Sequence, residues 1–375
     1  MNLTSKAEFG FRTEPFVALL GQRDDDGSHS IRNLGNLNSK STRIYLRGAT
    51  STPRIDEVHL SSGLEYLAEG DMVRLNPHSN SVRVLYRRNS PFNTLFLTER
   101  CNSRCLMCSQ PPRVRDDSFL AEDILQMLPW MAKETVELGI TGGEPTLLHA
   151  KLLEILRTAK QCLPNTALHM LSNGRLFSYL KYAQRVSGIQ HPDLVVGIPL
   201  YADTAANHDF VVQAKGAFEQ TIFGILNLAR VGVSVELRMV IHRETFARLP
   251  QFAVFVARNL PFVHQVVFMG LELMGYARSN LDALWIDPID YQRELKEAVT
   301  ILDDQGIKVS IYNHQLCLLP HALHRFAKKS ISDWKNIYLP QCDACGLKPE
   351  CGGFFSSASL RYSKHIHPVS RPTPL

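Results

Sequence analysis

From about residue 93 the chain repeats one pattern of apolar and polar positions. Short apolar runs with strand character lie at Thr94 to Thr98, Val136 to Ile140, Leu168 to Leu171, Leu194 to Ile198, Val233 to Val240 and Gln265 to Met269. Between them, apolar residues recur every three or four positions, as in Phe218, Ile222, Ile225 and Ala229, the spacing of a helix with one buried face. Six such units of strand, loop and helix predict a parallel sheet covered by helices, either open or curled into a partial barrel. A seventh helix is expected from Asp287, with Pro288 just inside its start and Tyr291, Leu295, Ala298 and Leu302 along one side.

The flanks read differently. Residues 1–90 are polar and turn-rich, and runs at 71–75 and 81–86 flank Asn76-Pro77-His78-Ser79-Asn80 as a hairpin, so a small β-rich amino-terminal domain is expected there. The partial barrel is expected over 91–310 and a cysteine-bearing segment over 311–360. A basic tail rich in Pro, Ser and His follows over 361–375, too poor in apolar residues to fold alone.

With 375 residues, 45% of them hydrophobic, the chain can bury a large core. Its 41 basic and 36 acidic side chains leave a net charge of +5 with no long block of one sign, a weak argument for an anionic partner and no more, and nucleic acid is not an expected partner. The amino terminus lacks a basic stretch followed by an apolar core, and no apolar run is long enough for a bilayer. A cytoplasmic protein without a membrane partner is expected. In a reducing compartment the eight cysteines read as metal ligands sooner than disulfides, and seven of them fall into two groups. Cys162 stands alone, as a buried small hydrophobe would.

The first group, Cys101, Cys105 and Cys108, follows the first strand directly, at the sheet end where active sites of such folds gather. Thiolates spaced this way can hold three irons of a cubane cluster and leave the fourth iron open, or belong to a zinc site completed by a further ligand. The second strand runs into Thr141-Gly142-Gly143-Glu144-Pro145, where glycines let a ligand touch the main chain and the carboxylate can accept from an ammonium. The third ends in Ser172-Asn173-Gly174, a hydroxyl and an amide suited to ribose hydroxyls. Taken singly, each of these last two is also an ordinary turn.

Together, in this order on consecutive strand ends, the three motifs resemble the radical S-adenosylmethionine (radical SAM) superfamily over about residues 93–310. The resemblance implies an α/β fold with a partial (β/α)6 TIM-like barrel, in which an external electron donor drives cleavage of S-adenosylmethionine to a 5′-deoxyadenosyl radical. It implies that Cys101, Cys105 and Cys108 hold a catalytic 4Fe-4S cluster. Gly142, Gly143 and Glu144 would face the methionyl amino group, Ser172 and Asn173 the ribose, and Arg238 the methionyl carboxylate. Met107 stands where the family often has an aromatic residue, and its adenine contact would be mostly main chain.

Cys317, Cys342, Cys345 and Cys351 form the second group. Its Cys-x2-Cys-x5-Cys run resembles the SPASM or twitch extensions of radical SAM enzymes that modify peptides, which implies one auxiliary 4Fe-4S cluster. Phe355 stands where the full SPASM pattern has another cysteine, and a structural zinc with four thiolates would use the same spacing. His208-Asp209 with Gly216-Ala217-Phe218 and Thr221 resembles the stretch along which substrate passes in peptide-modifying members, or else forms a loop and helix cap. His314, His321 and His324 near Cys317 are read as packed or solvated rather than as ligands.

The front domain, Arg87 to Ser90, Cys108 to Pro112, Cys351 to Ser357 and His365-Ile366-His367-Pro368 are similar to the His-Xaa-Ser system radical SAM maturases of the C type. That similarity implies a precursor peptide or protein with His-Xaa-Ser repeats as substrate and a partner radical SAM protein. The alternatives are action on a small molecule or RNA, and a non-catalytic iron–sulfur or zinc scaffold that presents a precursor to another enzyme.

Overall fold

The computed structural model describes residues 2–11, 13–37, 42–46 and 52–370, so the last five residues of the basic tail, and Met1 and Arg12 of the amino-terminal stretch, lie outside the described residues. Seven short strands open the chain: β1 (Thr4–Phe9), β2 (Phe16–Arg23), β3 (Ser28–Asn33), β4 (Thr42–Tyr45), β5 (Glu57–Leu60), β6 (Met72–Asn76) and β7 (Ser81–Tyr86). They close into a barrel in the order β1-β5-β4-β3-β2-β6-β7, with β6 and β7 as the hairpin read from the sequence. Ala18, Leu20, Ile44, Val58, Leu60 and Leu75 fill it.

A second sheet holds β8 (Asn93–Phe96), β9 (Glu137–Thr141), β10 (Ala167–Leu171), β11 (Leu194–Pro199), β12 (Ser234–Ile241), β13 (Gln265–Gly270), β14 (Val309–Tyr312) and β15 (Ala327–Lys328). All pairings are parallel and in chain order, a curled half-barrel. The six strands expected from the sequence are β8 to β13. The sheet continues for two more, giving eight strands rather than six; β14 has four residues and β15 two, too short for alternation to register.

One face of this sheet is apolar. Leu95, Ile140, Met170, Val196, Leu237, Phe268 and Ile311 are buried under the helix layer. The alternate positions, including Thr94, His169 and Arg238, stay partly open. A parallel sheet covered on both sides would carry unbroken apolar runs, so the period of two marks the second face as a lined hollow.

The helices are α1 (Ser118–Met127), α2 (Ala150–Cys162), α3 (Leu180–Ser187), α4 (Ala205–Val212), α5 (Ala217–Arg230), α6 (Leu249–Asn259), the single turns α7 (Tyr276–Ser279) and α8 (Leu281–Leu284), and α9 (Gln292–Asp304). Cys162 ends α2 half-buried against the core. Ahead of α9 the Asp287 carboxylate accepts from Ile289 N–H at 3.2 Å, and Leu295, Ala298 and Leu302 are buried as expected. Helix α5 is rotated from its expected stripe: Ala217, Thr221, Gly224, Ile225 and Leu228 are buried, with Phe218 and Ile222 on the margin. Gly224 sets that rotation, because a Cβ there would lie 2.1 Å from the Gly174 carbonyl oxygen.

The amino-terminal barrel is not packed on its own core alone. Val17, Leu34, Met72 and Tyr86 belong to the large core that the half-barrel shares with its helices. Tyr86 also hydrogen-bonds Thr135 at 2.8 Å, and Arg74 pairs with Asp123. At the other end, β16 (Asn336–Ile337) and β17 (Phe354–Phe355) pair antiparallel within the cysteine-bearing segment. Among the described residues no helix is long and apolar enough to cross a membrane.

Gly224→Ala separates two opposed effects. Helix propensity favours alanine by about 1 kcal/mol, whereas overpacking against Gly174 costs about 1–3 kcal/mol. Net destabilisation is expected in chemical denaturation, and a stabilised variant would contradict the close approach.

Candidate active site and thiol centres

The loop bearing Cys101, Cys105 and Cys108 leaves β8 and is tied down at several points. At its root, Gly143 N–H donates to the Thr98 carbonyl at 2.7 Å and Glu144 N–H to the Arg100 carbonyl at 2.8 Å. The Thr98 hydroxyl donates to buried Asp117 at 2.8 Å. Further on, Arg104 and Leu106 N–H donate to the Val212 and Val211 carbonyls at the end of α4, and Asn280 Nδ2 donates to the Leu106 carbonyl. Tyr276 N–H closes the far side onto the Cys108 carbonyl at 2.8 Å.

Gly142 and Gly143 serve this zip directly. A Cβ on Gly142 would fall 2.6 Å from the Thr98 oxygen, and one on Gly143 would fall 2.2 Å from the Arg100 oxygen. The Cβ side of both glycines is thus taken by the backbone that carries the cysteine loop.

The three thiols are half-buried and interact. Burial, with a charge on Cys108 adding to it, raises Cys105 to about 12 and Cys101 to about 11; burial raises Cys108 as well. Left to themselves they are thiols, so metal ligation must displace their protons. Three interacting thiols on one loop are the donor set that a cubane takes with one corner left over. Among the described residues no three His, Cys, Asp or Glu side chains converge as the ligands of a single metal ion do. A cubane takes its thiolates at separate corners and needs no such convergence.

Glu144 is fully buried and joins two strand ends. Its Oε1 accepts from Thr146 N–H (3.0 Å), Thr146 Oγ1 (2.5 Å) and Ser172 Oγ (2.8 Å), and its Oε2 accepts from Asn173 N–H at 2.6 Å. Burial raises its pKa in spite of these donors. Asn173 Nδ2 in turn donates to Asn102 Oδ1 at 2.6 Å and lies 4.0 Å from Cys101 Sγ. Ser172, Asn173, Glu144 and the cysteine loop therefore form one connected patch. Met107 is buried in the core beside it.

Arg238 stands apart from that patch, on the hollow face of β12. Its Nε donates to Glu236 Oε1 at 2.5 Å, with His169 Nε2 at 3.3 Å from the same oxygen. Burial opposes the charge on Glu236, but His169 and Arg238 overcome it and hold the carboxyl at about 2. This polar floor was not legible as a group in the sequence, because His169 comes from β10 and Glu236 and Arg238 from β12.

Two further neighbours of the thiols were also missed. Tyr201 is buried beyond the end of β11 and feels the charge of all three cysteines; its N–H donates to His208 Nδ1 at 3.2 Å and the two rings stack 6.0 Å apart. Arg175 donates to the Asn102 carbonyl and to Ser103 Oγ. The His208 segment is itself a cap: Asp209 accepts from Gly216 and Phe218 N–H at the start of α5, and Thr221 Oγ1 donates to the Asn173 carbonyl.

Cys317, Cys342, Cys345 and Cys351 line one pocket, together with Leu347, Phe354 and His367. Burial raises the Cys317 and Cys342 thiols, and charges on the other cysteines raise them further. His314 is not among the lining groups. Its two ring nitrogens are taken by Tyr291 Oη (2.8 Å) and the Tyr312 carbonyl (2.9 Å), while His324 Nε2 lies on the Leu316 carbonyl. Phe355 pairs with Asn336 in the small sheet, on the strand next to Phe354. Phe354 and Gln315 also border a cavity of about 70 Å³ at the ends of β12 to β14, walled by Trp285, Tyr362 and Arg361. The Ser357 hydroxyl on its lining is buried without a partner.

Residues 95–256 match the family model of the Radical SAM superfamily. The chain carries a Radical SAM domain over those residues, the domain of a superfamily that uses a 4Fe-4S cluster and S-adenosylmethionine. By sequence it is similar to molybdenum cofactor biosynthesis protein 1 of Bos taurus, 27% identical over 44% of this chain and 26% of that protein. It is similar to the probable GTP 3′,8-cyclase of Methanocella arvoryzae, 27% identical over 51% of this chain and 59% of that protein. It is similar, too, to the PqqA peptide cyclase of Gluconobacter oxydans, 26% identical over 50% of this chain and 51% of that protein. The chain thus spans between 26% and 59% of the length of these relatives. Among solved structures, SuiB of Streptococcus suis bound to S-adenosylmethionine aligns with a TM-score of 0.48 at 13% identity, over 64% of this chain and 53% of that one.

Glu144→Ala leaves the Ser172 hydroxyl and the Asn173 N–H buried without an acceptor. A loss of at least about 2 kcal/mol in denaturant unfolding is expected, against about 1 kcal/mol for Ser172→Ala. The pH response has a definite sign. Burial lowers His208 and His314 to about 4 and His242 to about 3, from the ordinary 6.5. These groups stay neutral in the fold while the unfolded chain takes up protons. Stability is therefore full above pH 6.5 and is lost as pH falls toward 4, by up to about 4 kcal/mol per pH unit for the three together. A melting temperature that stays flat from pH 7 to 5 would contradict this.

Proposed function

We propose that the protein modifies a ribosomally made precursor peptide or protein, one with His-Xaa-Ser repeats, using a cluster held by Cys101, Cys105 and Cys108. The observation that carries the cluster site in this reading is the hydrogen-bonded patch in which Glu144, Ser172 and Asn173 meet the cysteine loop at the sheet's carboxyl end. Bound there, the cluster and S-adenosylmethionine supply one-electron cleavage of a sulfonium bond and abstraction of a substrate hydrogen.

The chain's own groups then bind and orient. A carboxylate offers about four acceptor sites; Glu144 Oε1 is saturated, and Oε2 keeps one site beyond Asn173 N–H for a methionyl ammonium. Ser172 and Asn173 stand for the ribose, and the main chain at Met107 for adenine. Arg238 spends its Nε on Glu236 and retains its terminal nitrogens for a carboxylate.

Four thiols in one pocket fit a fully ligated auxiliary cluster, which has no open corner and would relay electrons instead of chelating substrate. The aromatic cavity beside it, with its partnerless Ser357 hydroxyl, suits a peptide side chain. Similarity to a PqqA peptide cyclase supports a peptide substrate. A partner radical SAM protein, an external electron donor and a cytoplasmic setting complete the proposal. The likeness to a GTP 3′,8-cyclase favours a second reading, a nucleotide substrate.

Anaerobically reconstituted protein is expected to hold about eight irons, two cubanes of four. With dithionite it should release 5′-deoxyadenosine from S-adenosylmethionine, and Cys105→Ala should abolish that release. A mass change in a His-Xaa-Ser precursor supports the peptide reading. Turnover of GTP with the precursor unchanged would replace it with the second reading.

A further inference from the structure

The segment after Ser363 was expected to be a tail, yet it lies against the second thiol group. The buried Ser363 hydroxyl accepts from His365 N–H at 3.1 Å and starts a turn. His367 lines the four-cysteine pocket, with its Nδ1 held by the His365 carbonyl at 2.8 Å. Val369 is fixed from both sides: Gly346 N–H donates to its carbonyl at 2.9 Å, and its side chain packs on the large core. One main-chain donor reaches sulfur from this strap at hydrogen-bond distance. Val369 N–H donates to Cys345 Sγ at 3.4 Å, while the His367 backbone stands beside Cys317 and works against the rise that burial gives its thiol.

We propose that residues 365–369 are a working part of the second metal centre, a strap that covers it and tunes its potential through main-chain N–H groups at Cys317 and Cys345. The inference rests on the reading that these cysteines hold an iron–sulfur cluster. A hydrogen bond to a ligating sulfur stabilises the more negative, reduced state of a cluster, and solvent exposure also sets its potential. Groups that hold metal ligands in place commonly contribute ten- to a hundredfold in metal retention. These are peptide N–H groups, so their effect does not depend on side-chain identity and only a substitution that removes the N–H can test it. Proline does this at both positions.

The test uses the full chain, reconstituted with iron and sulfide, as His367→Pro, Val369→Pro and His367→Ala, and a chain ending at Lys364. Redox titration followed by electron paramagnetic resonance reads the two clusters separately, and iron release to a chelator reads retention. Both proline variants are expected to move the second cluster to a more negative potential, and His367→Ala, which keeps its N–H, to move it less. The shortened chain should lose the second cluster's iron about tenfold faster. An unchanged signal from the Cys101 cluster reports that each variant is folded. A second cluster with the same potential and iron release in all four proteins overturns the strap alone. An iron content of about four in the unaltered protein removes the auxiliary cluster and the strap together.

Discussion

Two main-chain hydrogen bonds carry the site. Where β9 ends, the N–H groups of Gly143 and Glu144 reach the carbonyls of Thr98 and Arg100, and this contact fixes the cysteine loop to the sheet. It is possible only because neither Gly142 nor Gly143 has a side chain, since a Cβ at either would run into the loop's backbone. The same turn then places Glu144, whose carboxylate takes up Ser172 and Asn173 from the neighbouring strand end. A loop, two strand ends and a buried carboxyl group are thereby held in one geometry, the kind of preorganisation that positions reacting groups.

The half-barrel supplies the ground for this arrangement. Its helix-covered face is apolar from β8 to β14, while the hollow face carries the Glu236, His169 and Arg238 group. A buried carboxylate is stable only when its hydrogen bonds are met. Glu236 meets that condition through Arg238 and Gln265, with His169 Nε2 3.3 Å from the same oxygen that Arg238 holds. The hollow is thus polar at its floor and aromatic where Trp285, Phe354 and Tyr362 wall the cavity at the strand ends.

Much of this was legible in the chain. Six strands, the hairpin at residues 72–86 and the start of α9 followed from periodicity and turn residues, because each is decided by neighbours in sequence. The cysteine, glycine and serine motifs were legible for the same reason. What escaped were features made between distant segments. Strand β14 takes its place from a neighbour on β13 and β15 from β14, not from their own few residues. The stripe of α5 turned because one glycine meets the Gly174 carbonyl. Tyr201 gives no local sign of lying near three thiols, and a tail poor in apolar residues gave none of docking on cysteines far upstream. The glycines were singled out for their freedom from Cβ, and on the Cβ side their close neighbour is the chain itself.

The seam between the two β structures has a thermodynamic consequence. Val17, Leu34, Met72 and Tyr86 belong to the amino-terminal barrel by chain position and to the half-barrel by burial. Opening the barrel would wet part of the core that supports α1, and loosening α1 would strip apolar cover from the barrel. Local excursions on either side are therefore penalised by both. The small barrel acts as a buttress whose melting is coupled to that of the fold it leans on, and not as an appendage free to come and go.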